Sequence, residues 1–161
     1  MDKLYENSET GCCQRFNPKP WQDRQIKWKG KLFLRDRVIN LFYIPLNMDK
    51  VMARDMEKIK AAGALPKEQL MLCDDGMFGS DIFIAVSRKV PGARMEKISG
   101  TFLSTVFEGS YSQVGKWIKD AQKHAESKKR KIKKLLFFYT TCTACAKAYG
   151  KNYVVILAKV G

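Results

Sequence analysis

Between Met95 and Lys134 the apolar positions change period once. Ile98, Gly100, Phe102, Ser104, Val106 and Glu108 alternate with Ser99, Thr101, Leu103, Thr105 and Phe107, the two-residue period of a strand. Gly109 breaks the strand. Tyr111, Val114, Trp117, Ile118, Ala121 and Ala125 then recur at helical spacing, which gives one apolar face. Ser110 and Gln113 have the spacing of a capping box for that helix. An earlier stretch reads the same way. Residues 31–35 and 38–46 are strand-like, with a bend or bulge expected at Asp36 and Arg37. Asn47 is an N-cap candidate, Met48, Val51, Met52, Met56 and Ile59 form a helical stripe, and Gly63 is a natural stop. Strands are predicted over 69–73 and 81–88, and after the second helix over 135–140 and 152–160.

The order strand, helix, strand, strand is thus taken twice. It predicts an α+β fold of duplicated βαββ modules, a mostly antiparallel sheet carrying two long helices. The expected organisation is one domain, with an N-terminal arm over 1–30, a first module over 31–90 and a second over 91–161. The 161 residues are enough to bury a core.

Composition changes the picture in two ways. No apolar run approaches the roughly 20 residues needed to cross a bilayer, and the opening MDKLYENSETG is polar and acidic rather than a secretory signal. A cytoplasmic protein without membrane partners is the expectation. The net charge of +14 is spread along the chain, densest at Lys128, Lys129, Arg130, Lys131, Lys133 and Lys134. This run reads as a solvated turn or as an anion-facing patch. No zinc-finger spacing or RNP-type aromatic signature supports nucleic-acid binding.

The arm holds Phe16, Trp21 and Trp28 around Pro18 and Pro20. Its prolines exclude a regular helix or central strand. Its rings are too many for a solvated linker, so it is expected to pack across the domain, either as plain core or as the wall of a ligand pocket.

The candidate chemistry is sparse. Asp74-Asp75-Gly76 reads as a hairpin turn. Cys142-x-x-Cys145 can chelate a metal, pair, or remain as thiols, and a structural zinc would need Cys12 and Cys13 from the arm to complete four ligands. Its position between hairpin strands argues against thioredoxin-like redox work. His124 is the single histidine, late in the second helix, which leaves carboxylates, tyrosines or bound water to carry any hydrolysis. Glu108, at a strand end before a helix, is the carboxylate singled out as acid or base, and Tyr139 is a candidate phenol donor.

The turn Val90-Pro91-Gly92, Gly100 in its strand, the turn 107–111 (Phe-Glu-Gly-Ser-Tyr) and the closing strand 154–160 resemble the GyrI-like small-molecule-binding family. The arm with Phe16-x-Pro18 and Trp21, and the Cys142-x-x-Cys145 loop, resemble a branch of it labelled hydrolase. The resemblance implies a ligand cleft at the pseudo-twofold between the helices. It also implies flat, aromatic or cationic ligands and, in some members, hydrolysis of cyclopropane-bearing DNA-alkylating compounds. Phe42 or Tyr43, with Phe83, Phe102, Tyr111, Trp117, Phe137 and Tyr139, would line that cleft, with Trp21 or Trp28 as a lid. The family's acidic residue near the last strands is missing from NYVVILAKV, so Glu108 would take its role, or the ligand is not a cation. Three readings follow: a hydrolase, a binding protein that sequesters or senses a drug, and a zinc-stabilised basic module that contacts nucleic acid.

Overall fold

The computed structural model describes residues 16–42, 44–140 and 143–161. Alternating apolar residues build seven strands: β1 (Arg24–Leu41), β2 (Ile44–Pro45), β3 (Met71–Asp75), β4 (Gly79–Ala85), β5 (Arg94–Glu108), β6 (Lys134–Tyr139) and β7 (Tyr153–Lys159). The helices are α1 (Met48–Ala61), α2 (Val114–Ser127) and the short α3 (Thr143–Tyr149). Among the described residues every strand pairing is antiparallel. β1 pairs with both β4 and β5, so the order β1-β4-β3-β6-β7-β5 returns to β1 and closes a barrel, with β2 appended to the far end of β1. Closure leaves few open edges. The β3–β6 seam is the thinnest part, joined at Cys73 and Phe137.

A barrel has two faces, and the sequence alternates between them. One set comprises Phe33, Leu72, Phe83, Phe102, Leu136, Phe138, Val155 and Leu157, with Trp21 and Trp28 packed against it. The other set comprises Leu34, Val38, Ile82, Ile84, Phe137, Val154 and Ile156, and it takes in Val51 and Ile59 of α1 and Trp117 and Ala121 of α2. Both long helices therefore cover the outside of the sheet, and the first set fills the inside.

β1 keeps its aromatic residues inside only because it slips. Its register against β5 shifts between Trp28 and Lys31. Gly30 lies there at φ +65°, a conformation that favours glycine. One extra residue inverts the alternation, so Trp28 before the bulge and Phe33 after it share the inner face. The bulge expected at Asp36 and Arg37 is absent, because both residues continue the β4 ladder, opposite Ile82 and Asp81.

Other expectations are corrected locally. The arm over 1–30 is not all irregular, since β1 begins at Arg24. The capping box does not form. A 3-10 turn over Tyr111–Gln113 precedes α2, whose Gln113 cap makes no side-chain bond. Asn47 precedes α1 as expected, but its Oδ1 accepts the Ile39 amide at 2.8 Å instead of capping the helix. The loop after β6 folds into α3, and its alanines supply the helix propensity.

Candidate functional site

On the helix side, three strands present one row. Phe107 of β5 pairs with Val154 of β7, and Val154 pairs with Tyr139 of β6. Over this row Trp117 of α2 stacks on Phe107, with ring centroids 5.5 Å apart and planes 16° from parallel. Tyr139 stacks along Phe137 at 6.1 Å and 12°. That lean carries its hydroxyl across the β6–β3 seam. There it donates to Asp75 Oδ2 at 2.6 Å, the short distance of a charge-assisted bond.

Asp75 is held from its other side as well. Ser80 Oγ donates to Asp75 Oδ1 at 2.8 Å, and Asn40 Nδ2 donates to Ser80 Oγ at 2.7 Å and to the Gly76 carbonyl at 2.9 Å. Ser80 and Asn40 are buried, while Asp75 and Tyr139 are half-buried. Chain topology produces this. β3 and β4 form a hairpin whose turn holds Gly76, β1 runs alongside, and β6 closes the seam. Four residues from four strands thus make one hydrogen-bonded chain ending at a phenol and a carboxylate. That pair can take up and return a proton, and the row beside it is apolar, with Val154 buried beneath Trp117, and with Phe107 and Tyr139 half-buried.

Neighbouring groups narrow the chemistry. Cys73 is fully buried beside this pair. Burial first, then the Asp75 and Asp74 charges, push its thiol far above the ordinary range. It stays protonated and is a poor nucleophile. On α1, Asp55 is buried and hydrogen-bonded to Asp36 of β1. Burial, then Asp36, push it up to about 7. Burial would raise Asp36 too, but hydrogen bonds from Arg54, Asp55 and the Arg37 amide hold it below the usual carboxylate range.

A second feature opens at one end of the barrel, on the inner side. It is a cavity of about 370 Å³ whose walls include Phe16, Trp21, Trp28 and Phe138, with Lys31 and Glu68 at its polar margin. Trp21 meets Phe138 edge-on at 5.6 Å, and Lys31 Nζ lies 5.9 Å from the Trp28 ring. Phe138 and Thr140 face this cavity while Tyr139 between them faces the helices.

The residues selected from sequence therefore divide. Trp117, Phe137 and Tyr139 come together on the helix side. Trp21, Trp28, Phe83 and Phe102 gather on the inner side, where Phe102 is fully buried with Trp28 5.0 Å away. Glu108 is exposed, opposite Tyr153, and by alternation on the side of Val106 rather than of Phe107 and Tyr139. Tyr43, Cys12, Cys13 and Cys142 lie outside the described residues, as does the Tyr111 side chain. Cys145 is buried in α3. Among the described residues no three metal-ligating side chains cluster, and no helix is long and apolar enough to cross a membrane. Asp75, Ser80 and Asn40 were missed from sequence. The only available signal was that Asp75 extends the alternation of Met71 and Cys73 by one step.

A protein-family model described as bacterial hydrolase matches residues 3–160. No curated protein matches the chain.

Proposed function

The chain belongs to the bacterial hydrolase family, and on that premise we propose that it hydrolyses a hydrophobic, aromatic small molecule on the helix side of the barrel. The observation that carries this is the 2.6 Å bond from Tyr139 to Asp75 beside the stacked rings of Phe137, Phe107 and Trp117. A substrate ring packs against the accessible parts of Phe107 and Tyr139, the two half-buried members of the row. Water gives a proton to the Tyr139 oxygen as the phenolic proton passes to Asp75. The water oxygen bonds to the electrophilic carbon of the substrate. The bond to the leaving atom breaks, and the proton returns from Asp75 through Tyr139 to that atom. Ser80 and Asn40 position Asp75. Acid–base help of this kind is worth roughly 10²–10⁴ in rate.

The pairings add support for the finer reading. β1, α1, β3 and β4 are followed by β5, α2, β6 and β7, and in each set the first strand pairs with the last and the last with the third. This favours duplicated βαββ modules and a GyrI-like ancestry. Cyclopropane-bearing DNA-alkylating compounds are therefore the substrate class to assay first. In that assay Asp75→Asn and Tyr139→Phe should each lower kcat at least ~100-fold, and Glu108→Gln should stay within ~3-fold of wild type. Full activity in Asp75→Asn would sink the assignment.

The cavity beneath the arm favours a second reading, in which the protein holds an aromatic ligand there without turnover. Trp28→Ala should then weaken binding of that ligand at least ~10-fold, as read by calorimetry, while Tyr139→Phe leaves it unchanged. The reverse pattern would locate the ligand on the helix side.

A further inference from the structure

Half of the net charge is concentrated on one helix and the loop that leaves it. From Lys116 to Lys134, nine lysines and arginines stand against two acids, Asp120 and Glu126, in a chain of net charge +14. Helical spacing puts Lys116, Lys119 and Lys123 within about 60° of one another around α2. They lie opposite Trp117, Ala121 and Ala125, which face the sheet. All three are exposed. The loop over 128–133 leaves the C-terminal end of this stripe and adds Lys128, Lys129, Lys131 and Lys133, exposed as well. Among the described residues, Lys134 alone of the nine has an ion pair, with Asp74 at 3.0 Å. The loop is held at both ends. The Lys129 amide donates to the Glu126 carbonyl at 2.9 Å, the Arg130 amide to the Ala125 carbonyl at 3.0 Å, and the Lys133 amide to the Lys159 carbonyl at 2.7 Å. The first two bonds close a helix end that ordinarily carries glycine at the left-handed position. Lys129 occupies that position at φ +56°, so backbone fit does not account for a lysine there.

We propose that the outer face of α2 and the loop after it form a docking surface for the phosphate backbone of a nucleic-acid duplex, held without reading its bases. All of the basic residues but Arg130 are lysines. Lysines are point charges that position a phosphate backbone, without the bidentate contacts by which arginine reads guanine. A duplex is a stiff rod with one charge per about 1.7 Å of axis, and the three helical lysines form a straight row about 10 Å long. Single strands are held by exposed rings on which bases stack, whereas Trp117, the aromatic residue of α2, is buried. A membrane-bound helix sinks its apolar face into lipid, whereas that face of α2 is packed on the sheet. A protein partner needs an apolar centre to the interface, and no exposed apolar side chain interrupts the lysines.

Fluorescence anisotropy of the full chain with labelled duplexes of arbitrary sequence tests the surface. Wild type should bind different sequences alike, and lose about a thousandfold in affinity between about 50 and about 200 mM salt. Lys116→Gln with Lys119→Gln and Lys123→Gln should weaken binding at least ~10-fold and lower the slope of log affinity against log salt by about 1 per lysine. Lys129→Gly should also weaken binding, while the thermal midpoint is unchanged or higher. Lys50→Gln with Lys60→Gln and Lys89→Gln removes the same charge from exposed positions on and near α1, and should leave affinity within ~3-fold of wild type. No binding at the lowest salt, or equal losses in the two triple variants, overturns the proposal. Tighter binding to a single strand of the same length overturns the choice of a duplex. Binding to phosphatidylglycerol vesicles in place of the duplex would overturn it by assigning the stripe to a membrane.

Discussion

Asp55 is a carboxyl group built into the apolar stripe of α1, four residues from Val51 and four from Ile59. Its pKa of about 7, against an ordinary 3.8, has a calculable consequence. Between these values the folded chain holds a proton that the unfolded chain has released. Stability must then decline as pH rises from about 4 to about 7. Asp36 acts oppositely at lower pH. Its lowered pKa gives stability above the ordinary carboxylate range that is lost as pH falls. Urea midpoints should therefore fall between pH 5 and pH 8. Asp55→Asn, which keeps a donor toward Asp36, should flatten that slope and exceed wild type at pH 8 by about 1–2 kcal/mol. An unchanged slope in Asp55→Asn would refute the assignment. The apolar stripe of α1 was legible in the sequence, but Asp55 on it was not singled out, and its partner was hidden because Asp36 read as a bend or bulge. Asp75 was hidden in the same way. Beside Asp74 and Gly76 it reads as turn, and the phenol that defines its role is 64 positions away.

At the scale of elements, periodicity located five of the six barrel strands and both long helices within a few residues, but it began β1 at 31 and left residues 24–30 in the arm. The misses share one cause: the local sequence was right about tendency and silent about neighbours. Gly63 ends α1 at φ +62° with open space around it, as its position foretold. Gly100 looked like one more strand residue. It lies at φ +145°, and a Cβ there would come within 2.8 Å of the Gly161 carbonyl oxygen and of Lys159 Cε. The two glycines should therefore respond differently. Gly63→Ala should cost about 1 kcal/mol, the conformational penalty alone. Gly100→Ala should cost about 2–3 kcal/mol, because backbone must move as well. Equal losses by chemical denaturation would show that the C-terminal segment yields freely. The bulge at Gly30 was not legible, since Lys29-Gly30-Lys31 carries no apolar residue to mark the change of face. Its effect reaches the whole arm, because it turns Trp28 inward.

For the molecule as a whole, closure of the barrel decides what each face can do. An open sheet would have let rings from both halves line one cleft, as the resemblance to GyrI-like proteins implied. Closure instead separates an aromatic interior under the arm from a helix-covered exterior that carries Tyr139 and Asp75. The division follows from β1 pairing on both sides, and that depends on an 18-residue strand whose two ends meet different partners. Nothing in composition announces such a strand, because the arm's prolines and aromatics mask its first third. The central claim is that water is added to a substrate beside Tyr139 and Asp75. The most direct measurement is turnover of a cyclopropane-bearing substrate in ¹⁸O-water, followed by mass spectrometry of the product. Wild type should yield product carrying one solvent oxygen, and Asp75→Asn should yield it at least ~100-fold more slowly. Bound but unaltered substrate with wild type, or equal rates of ¹⁸O incorporation in both proteins, would contradict it.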